Sequence, residues 1–120
     1  WSDGLIVSTP TGSTGYSLSS GGPIISPDAS TFVLNPIAPH NIGIRPLIVP
    51  DKSHIDIYVS GRSKKYLISL DNRRFTINNN SSIVISKAPF FIKTIQLEGD
   101  DFFMTLRDKL FWGLDKRNRQ

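Results

Sequence analysis

The sequence predicts a mostly-β fold: a β-sandwich of many short antiparallel strands, with a short helix after the first strand and a helix at the C-terminus. Period-2 runs that are rich in β-branched residues recur along the 120-residue chain. Turn-forming residues separate these runs at intervals of about ten residues, which is the spacing typical of a sandwich. Two stretches depart from this pattern, and both have the spacing and end signals of helices.

Eight segments fit short strands. They are Leu5–Ser8, Phe32–Pro36, Pro46–Val49, Ile55–Ser60, Tyr66–Asp71, Arg74–Asn78, Ser82–Ser86 and Ile92–Glu98. In the fourth segment apolar residues alternate with Asp56 and Tyr58, the pattern of a strand with one buried face. Asn78–Ser81 predicts a hairpin turn because Asn tolerates positive φ, and Gly61–Ser63 predicts another turn.

The first predicted helix is Thr14–Ser20, with Ser13 or Thr14 as its N-cap residue. It is short, because the following Gly21-Gly22-Pro23 would end it.

The second predicted helix is Asp101–Trp112, where apolar residues fall at helical spacing. Asp100 and Asp101 suit its first turn, and Gly113 suits its end.

Composition narrows the possible functions. The net charge is +4, and part of the excess lies in Arg62–Lys65 and Lys116–Arg119, but the chain has no recognisable nucleic-acid-binding module. No run of about 18 apolar residues is present, so no membrane association is expected. The absence of Cys fits an intracellular, cytoplasmic protein and makes a zinc site improbable.

Because the chain opens at Trp1 directly before a strand, we expect a piece of a longer protein.

Residues 8–22, S-T-P-T-G-S-T-G-Y-S-L-S-S-G-G, are the most informative stretch for function. They include four glycines and eight Ser or Thr side chains, and they carry no charge. A solvated loop normally contains charged residues, so this run predicts a loop that offers hydroxyls and backbone N–H groups to a polar ligand. Asp3 supplies a carboxylate just before the first strand.

Common phosphate-binding and nucleophile motifs do not fit this loop. A Walker A motif needs Gly-Lys-Ser/Thr, and no Lys precedes Lys52. The dinucleotide fingerprint fails because Gly12 and Gly15 have no third glycine in register. A nucleophile elbow fails because Gly12 stands directly before Ser13. The two histidines, beside Pro and Asp, are more typical of loops than of a catalytic triad.

Several blocks of the sequence occur in the order that is typical of one enzyme family. The blocks are Asp3–Ser19 with Gly21–Pro23, then Pro39-His40, Arg45–Leu47 and Ser69–Asn72. Together they closely resemble the NAD kinase family, and the resemblance covers nearly the whole chain. It implies that residues 1–120 are the C-terminal NAD-binding and oligomerisation domain, a β-sandwich, in a homo-oligomer that is commonly a tetramer.

The resemblance also implies an activity for the whole protein. Members of this family phosphorylate the 2′-hydroxyl of the adenosine ribose of NAD to give NADP, using ATP or polyphosphate as donor together with Mg²⁺. Their presumed catalytic Asp, in a Gly-Gly-Asp-Gly-Thr motif, and an Asn-Glu pair belong to an N-terminal α/β domain, and neither motif occurs in this chain. The resemblance therefore implies no catalytic residue and no metal ligand in this chain, and the isolated chain is expected to be inactive.

Ten residues are implied as NAD contacts. They are Asp3, Thr11, Thr14, Gly15, Tyr16, Ser17, Leu18, Ser19, Asn72 and Arg73. The Thr14 hydroxyl, the Gly15 backbone and Ser19 suit the polar edge of adenine. Tyr16 offers an aromatic body with a polar tip, suited to a base face or a phosphate oxygen.

Other implied contacts lie along the rest of the dinucleotide. Thr11, with the N–H groups of Ser13 and Thr14, suits the pyrophosphate, because a helix N-terminus favours anions. Asp3 suits the nicotinamide carboxamide, within the same subunit or a neighbouring one. The sequence departs from the family at Trp1, where many members have Arg or Lys.

Two other functions remain open from the residues alone. One is a β-sandwich that binds a protein partner or a polyanion without any nucleotide. The other is a related kinase that acts on a lipid, although eight hydroxyls suit a nucleotide better than an apolar chain. Taken singly, Tyr16 could pack on the sheet and Thr14 could cap a helix. A titration with NAD and NADP would separate the alternatives.

Overall fold

The structure, a computed structural model, describes residues 1–95, 99 and 101–114. The strands are β1 (Gly4–Ser8), β2 (Thr31–Ile37), β3 (Leu47–Pro50), β4 (Ile55–Tyr58), β5 (Lys65–Leu70), β6 (Arg73–Asn78) and β7 (Ser82–Ile85). The α-helices are α1 (Tyr16–Ser19) and α2 (Phe102–Leu110), and a 3₁₀ turn spans Thr11–Thr14. The predicted mostly-β class, with antiparallel pairs, a short helix after the first strand and a C-terminal helix, is confirmed.

The chain divides into two units, of which the first contains a three-stranded sheet. This unit comprises residues 1–49 and the described residues from 89 onward, and its strand order is β1-β2-β3. Strands β1 and β2 are antiparallel, with Gly4 opposite Ile37 and Ser8 opposite Val33. Phe32 and Val33 are buried on the central strand. The segment between β1 and β2, which includes the loop, is therefore held at both ends by a paired strand.

The second unit, Pro50–Ala88, contains two antiparallel pairs, β4 with β7 and β5 with β6. Strand β4 alternates as the sequence predicts, because Asp56 and Tyr58 are exposed whereas Ile55 and Ile57 are half-buried. Across the pair, Ile57 lies opposite Ile83. Cross-strand contacts between β-branched side chains of this kind stabilise a sheet.

Two predictions about the strands are wrong. Asn78–Ser81 does not form a hairpin, because β6 pairs with β5 whereas β7 pairs with β4. The hairpin turn lies at Asp71-Asn72, where Asp71 has a φ of 49°. The propensity of Asn for turns marks a change of direction but does not determine which strands pair. The predicted strand Ile92–Glu98 is absent over residues 92–95, and residues 96–98 lie outside the described residues.

The helices differ from the prediction at their ends. The N-cap residue of α1 is Gly15, not Ser13 or Thr14. Helix α2 begins after Asp101 and ends at Leu110, with Phe111 in the left-handed conformation at a φ of 55°. The end therefore precedes Gly113, and Asp100 lies outside the described residues. Within the described part of the chain, no helix is both long and apolar enough to cross a membrane.

Candidate functional site

The candidate site is the loop of residues 9–22, which follows β1 and ends before the strand β2. Pro10 begins it in helical conformation, with a φ of −52°, and its carbonyl accepts a hydrogen bond from the Ser13 N–H at 3.1 Å. Gly15 then joins the 3₁₀ turn to α1, and its N–H donates to the Gly12 carbonyl at 3.0 Å. Proline suits position 10 because its fixed φ lies in the helical region. The loop is therefore ordered by its own backbone.

The inner side of the loop consists of two buried serines, four residues apart. Ser13 is 0% exposed, and its Oγ accepts a hydrogen bond from the Ile25 N–H at 3.0 Å. Ser17 is 1% exposed, and its Oγ accepts from Asn35 Nδ2 at 3.3 Å. Buried hydroxyls that find such partners hold a segment in place. The Ser17 side chain thus has a structural role in the loop, although the resemblance implies a ligand contact.

The outer side of the loop carries four of the ten implied contacts. Thr11, Gly15, Tyr16 and Ser19 are exposed, and the Tyr16 side chain is 66% exposed. Tyr16 and Ser19 lie three residues apart in α1 and therefore share a helix face. An exposed aromatic ring beside hydroxyls is suited to binding a flat polar ring.

Two further implied contacts, Thr14 and Leu18, are half-buried between the two sides. The Thr14 hydroxyl donates to the Thr11 carbonyl at 3.3 Å, so its oxygen remains available to accept. The Leu18 N–H donates to the Gly15 carbonyl at 3.0 Å.

The backbone of the loop offers fewer free donors than the sequence suggests. The N–H of Ser13, implied as a pyrophosphate contact, donates to Pro10. The N–H of Gly15 donates to the Gly12 carbonyl, and the Gly15 carbonyl accepts a hydrogen bond from the Leu18 N–H. The Ser13 N–H and the Gly15 N–H are therefore already used within the loop.

The remaining implied contacts lie outside the loop. Asp3 is exposed, and its N–H donates to the Ile37 carbonyl at 2.9 Å. It precedes β1 whereas the loop follows β1, so a five-residue strand of about 16 Å stands between them along the chain. Asn72 and Arg73 are exposed in the second unit, at and after the β5–β6 turn.

Sequence reasoning missed Asn35, which lies beneath the loop, and it gave Gly22 only as a residue that ends the helix and belongs to a family block. Asn35 is 1% exposed in β2, and its Nδ2 donates to the Ser17 carbonyl at 2.9 Å. Gly22 is buried, and its N–H donates to the same carbonyl at 2.8 Å. The available signal was an Asn inside an apolar strand, where Asn is rare.

Replacement of Gly22 by alanine is expected to destabilise the loop. A Cβ at this position would lie 2.4 Å from Ser17 Oγ and 2.8 Å from Asn35 Nδ2, so these groups would have to move. The expected loss in the free energy of unfolding is about 1–3 kcal/mol, measured by urea denaturation of the full-length protein. Gly12→Ala is the control, because its Cβ would make an ordinary contact of 3.4 Å with Ser8. Equal losses in the two variants would contradict the steric argument.

Comparison with known proteins identifies the family. The family model of the ATP-NAD kinase C-terminal domain matches residues 1–97. The chain belongs to this family. The NAD kinase of Christiangramia forsetii is 58% identical over 118 residues, which are 98% of this chain and 40% of that protein. The NAD kinase of Flavobacterium psychrophilum is 54% identical with the same coverage. The chain thus spans about two-fifths of the length of the curated relatives it matches.

Two solved structures share the fold. The structure of yeast NADH kinase in complex with NADH matches at 25% identity and a TM-score of 0.70. The match covers 99% of this chain and 38% of the yeast chain. The structure of an NAD kinase from Archaeoglobus fulgidus in complex with ATP matches at 30% identity and a TM-score of 0.54. The match covers 74% of this chain and 34% of the Archaeoglobus chain. The loop lies inside the part of the chain that matches the ATP-NAD kinase C-terminal domain.

The described residues of this ATP-NAD kinase C-terminal domain do not bring together a metal-binding group. Among residues 1–95, 99 and 101–114, no three His, Asp or Glu side chains are close enough to hold an ion.

Proposed function

We propose that the protein containing this chain is an NAD kinase, and that this chain binds NAD through the outer side of the loop. The observation that carries the proposal is the division of the loop. Ser13 and Ser17 are buried and hydrogen-bonded inward, whereas an uncharged surface with Tyr16 and Ser19 faces outward. Membership of the ATP-NAD kinase C-terminal domain family makes NAD the ligand to test first.

The adenine end of NAD is proposed to lie on α1. The exposed ring of Tyr16 offers a face for the base, and Ser19 and Thr14 offer hydroxyls for its polar edge. Gly15 lets the ligand approach the main chain, because no side chain stands there. Leu18 and Ser17 contribute by keeping α1 against the protein.

The rest of NAD is proposed to extend away from α1. Thr11 suits a pyrophosphate oxygen, and it is exposed on the outer side. Asp3 suits the carboxamide of nicotinamide, because a carboxylate accepts from an amide N–H₂. Asn72 and Arg73 are proposed as further contacts from the β5–β6 turn. Arg73 offers a guanidinium that suits a phosphate.

The proposed reaction transfers a phosphoryl group to the 2′-hydroxyl of the adenosine ribose. The donor is proposed to be ATP or polyphosphate, with Mg²⁺ neutralising its charge when bound. The part played by this chain is to bind and orient NAD, which lowers the barrier by holding the hydroxyl in line with the donor. The general base is proposed to belong to another part of the full-length protein.

The full-length protein is also proposed to form a homo-oligomer, and the proposed stoichiometry is a tetramer. Supporting this, the described residues of the first unit include a run of exposed apolar side chains, with Phe91 79% exposed and Ile92 87% exposed. Surfaces of this kind usually mark contacts with another chain or domain. Light scattering on the full-length protein measures the stoichiometry.

The experiment that tests the proposed function is an assay of the purified full-length protein. NAD and ATP with Mg²⁺ are supplied, and NADP is measured by chromatography. Parallel reactions replace ATP by polyphosphate, and NAD by NADH, to identify the donor and the acceptor. The proposal predicts NADP formation that depends on both substrates. Folded protein that forms no phosphorylated dinucleotide in any of these reactions would contradict it.

A further inference from the structure

Asn35 occupies an unusual place for a polar side chain. It lies on the central strand β2, opposite Ile6 on β1, and it is 1% exposed. It shares a sheet face with Val33, two residues earlier, which is 0% exposed. A polar group buried this completely requires hydrogen-bond partners.

The Asn35 side chain directs its hydrogen bonds at α1 and at the turn after it. Its Nδ2 donates to the Ser17 carbonyl at 2.9 Å, to Ser17 Oγ at 3.3 Å and to the Ser20 carbonyl at 3.4 Å. A carbonyl oxygen only accepts, so the amide must present its N–H₂ group to this pair of carbonyls. Because the two amide hydrogens serve three acceptors, one hydrogen is shared between two acceptors.

These bonds compensate for the shortness of α1. A helix of four residues is too short to be stable by itself, because nucleation is costly. The last carbonyls of a helix also lack partners within it. Asn35 supplies donors to the carbonyls of Ser17 and Ser20, and the Gly22 N–H bonds the first of these at 2.8 Å. The position of α1 is thus fixed from the sheet.

We propose that Asn35 is a positioning residue for NAD: it holds α1 so that Tyr16 and Ser19 face the ligand. The inference rests on the proposed function, because it takes the outer side of α1 as the NAD contact. Asn35 is buried beneath α1 and acts through it. Its loss therefore weakens NAD binding by letting the exposed face of α1 move.

The test compares Asn35→Leu and Asn35→Ser in the full-length enzyme. Leucine removes both donors at similar volume, whereas serine keeps one O–H donor. Asn35→Leu is expected to raise KM for NAD about tenfold, the effect of losing one well-placed buried hydrogen bond. Asn35→Ser is expected to raise it less, and to leave a folded enzyme if the leucine variant does not fold. KM for the phosphoryl donor is expected to stay within about twofold, because α1 is proposed to contact NAD alone.

Val33→Thr is the matched control. It lies on the same strand and face and puts a hydroxyl into the core, but it removes no bond to α1. It is expected to lower Tm without a selective rise in KM for NAD. If Val33→Thr changes KM for NAD as much as the Asn35 variants at equal loss of Tm, the positioning role is overturned.

A double variant separates this inference from the proposed function. If Asn35 acts through Tyr16, the double variant Asn35→Ser/Tyr16→Ala raises KM for NAD by less than the product of the two single fold-changes. If Tyr16→Ala raises KM for NAD and the Asn35 variants do not, the positioning role alone is wrong. If the wild type forms no NADP, the proposed function fails. If Tyr16→Ala leaves KM for NAD unchanged, the proposed contact of NAD with α1 fails. In either case this inference fails with it.

Discussion

The 120-residue chain produced alone is expected to form no NADP from NAD and ATP, whereas the full-length protein is expected to form it. Residues 1–44, which include the whole loop, contain no Lys or Arg. The transferred phosphoryl group carries negative charge that an enzyme must stabilise, and the loop has no cationic side chain to do so. The Gly-Gly-Asp-Gly-Thr motif, which holds the presumed catalytic Asp of the family, does not occur anywhere in the 120 residues. The comparison measures NADP after extended incubation of both proteins at equal molar concentration.

Circular dichroism is the control for this prediction. It establishes whether the isolated chain keeps its strands, because an unfolded sample would be inactive for another reason. A folded isolated chain that turns over NAD repeatedly would contradict the proposed division of labour, since the chain would then hold the catalytic groups itself.

Replacement of Tyr16 by alanine in the full-length enzyme is expected to raise KM for NAD more than replacement of Thr11. The Tyr16 side chain is 66% exposed on α1, and its ring is proposed to stack on the adenine. Loss of one stacked aromatic ring is expected to raise KM about tenfold, since stacking of a base contributes about 1–3 kcal/mol. Steady-state kinetics with NAD as the varied substrate measure the effect.

Two further variants make this prediction specific. Thr11→Ala removes one exposed hydroxyl, and its expected effect on KM is smaller because an exposed hydrogen bond contributes less than a stacked ring. Tyr16→Phe keeps the ring and removes the hydroxyl, so it is expected to stay close to the wild type. Equal effects of Tyr16→Ala and Thr11→Ala would count against the roles proposed for these residues.

The sequence predicts well those features that depend on a local pattern. The alternation in β4 places Asp56 and Tyr58 outward, as the structure has them, because a strand has a period of two. The sequence also predicts the short helix after β1, because Gly21-Gly22-Pro23 would end it early, and α1 is only four residues long. The family is also predicted from the sequence, and the family model matches residues 1–97, which include all the blocks that carry the resemblance.

Features that depend on distant contacts could not be predicted from the local pattern. Ser13 looked like an N-cap residue, but its hydroxyl instead accepts from the Ile25 N–H, twelve residues away. Asn78–Ser81 looked like a hairpin, but strand pairing is decided by which apolar faces meet. The hydrogen bonds from Asn35 to Ser17 join positions 18 residues apart, and no local pattern specifies them.

The central claim is that the outer side of the loop binds NAD, and calorimetric titration of NAD into the full-length protein tests it most directly. Without a phosphoryl donor there is no turnover, so the titration gives Kd, which KM equals only when chemistry is slow. The account predicts saturable binding to the wild type and about tenfold weaker binding to Tyr16→Ala. Equal Kd values for the two proteins, both folded, would contradict it.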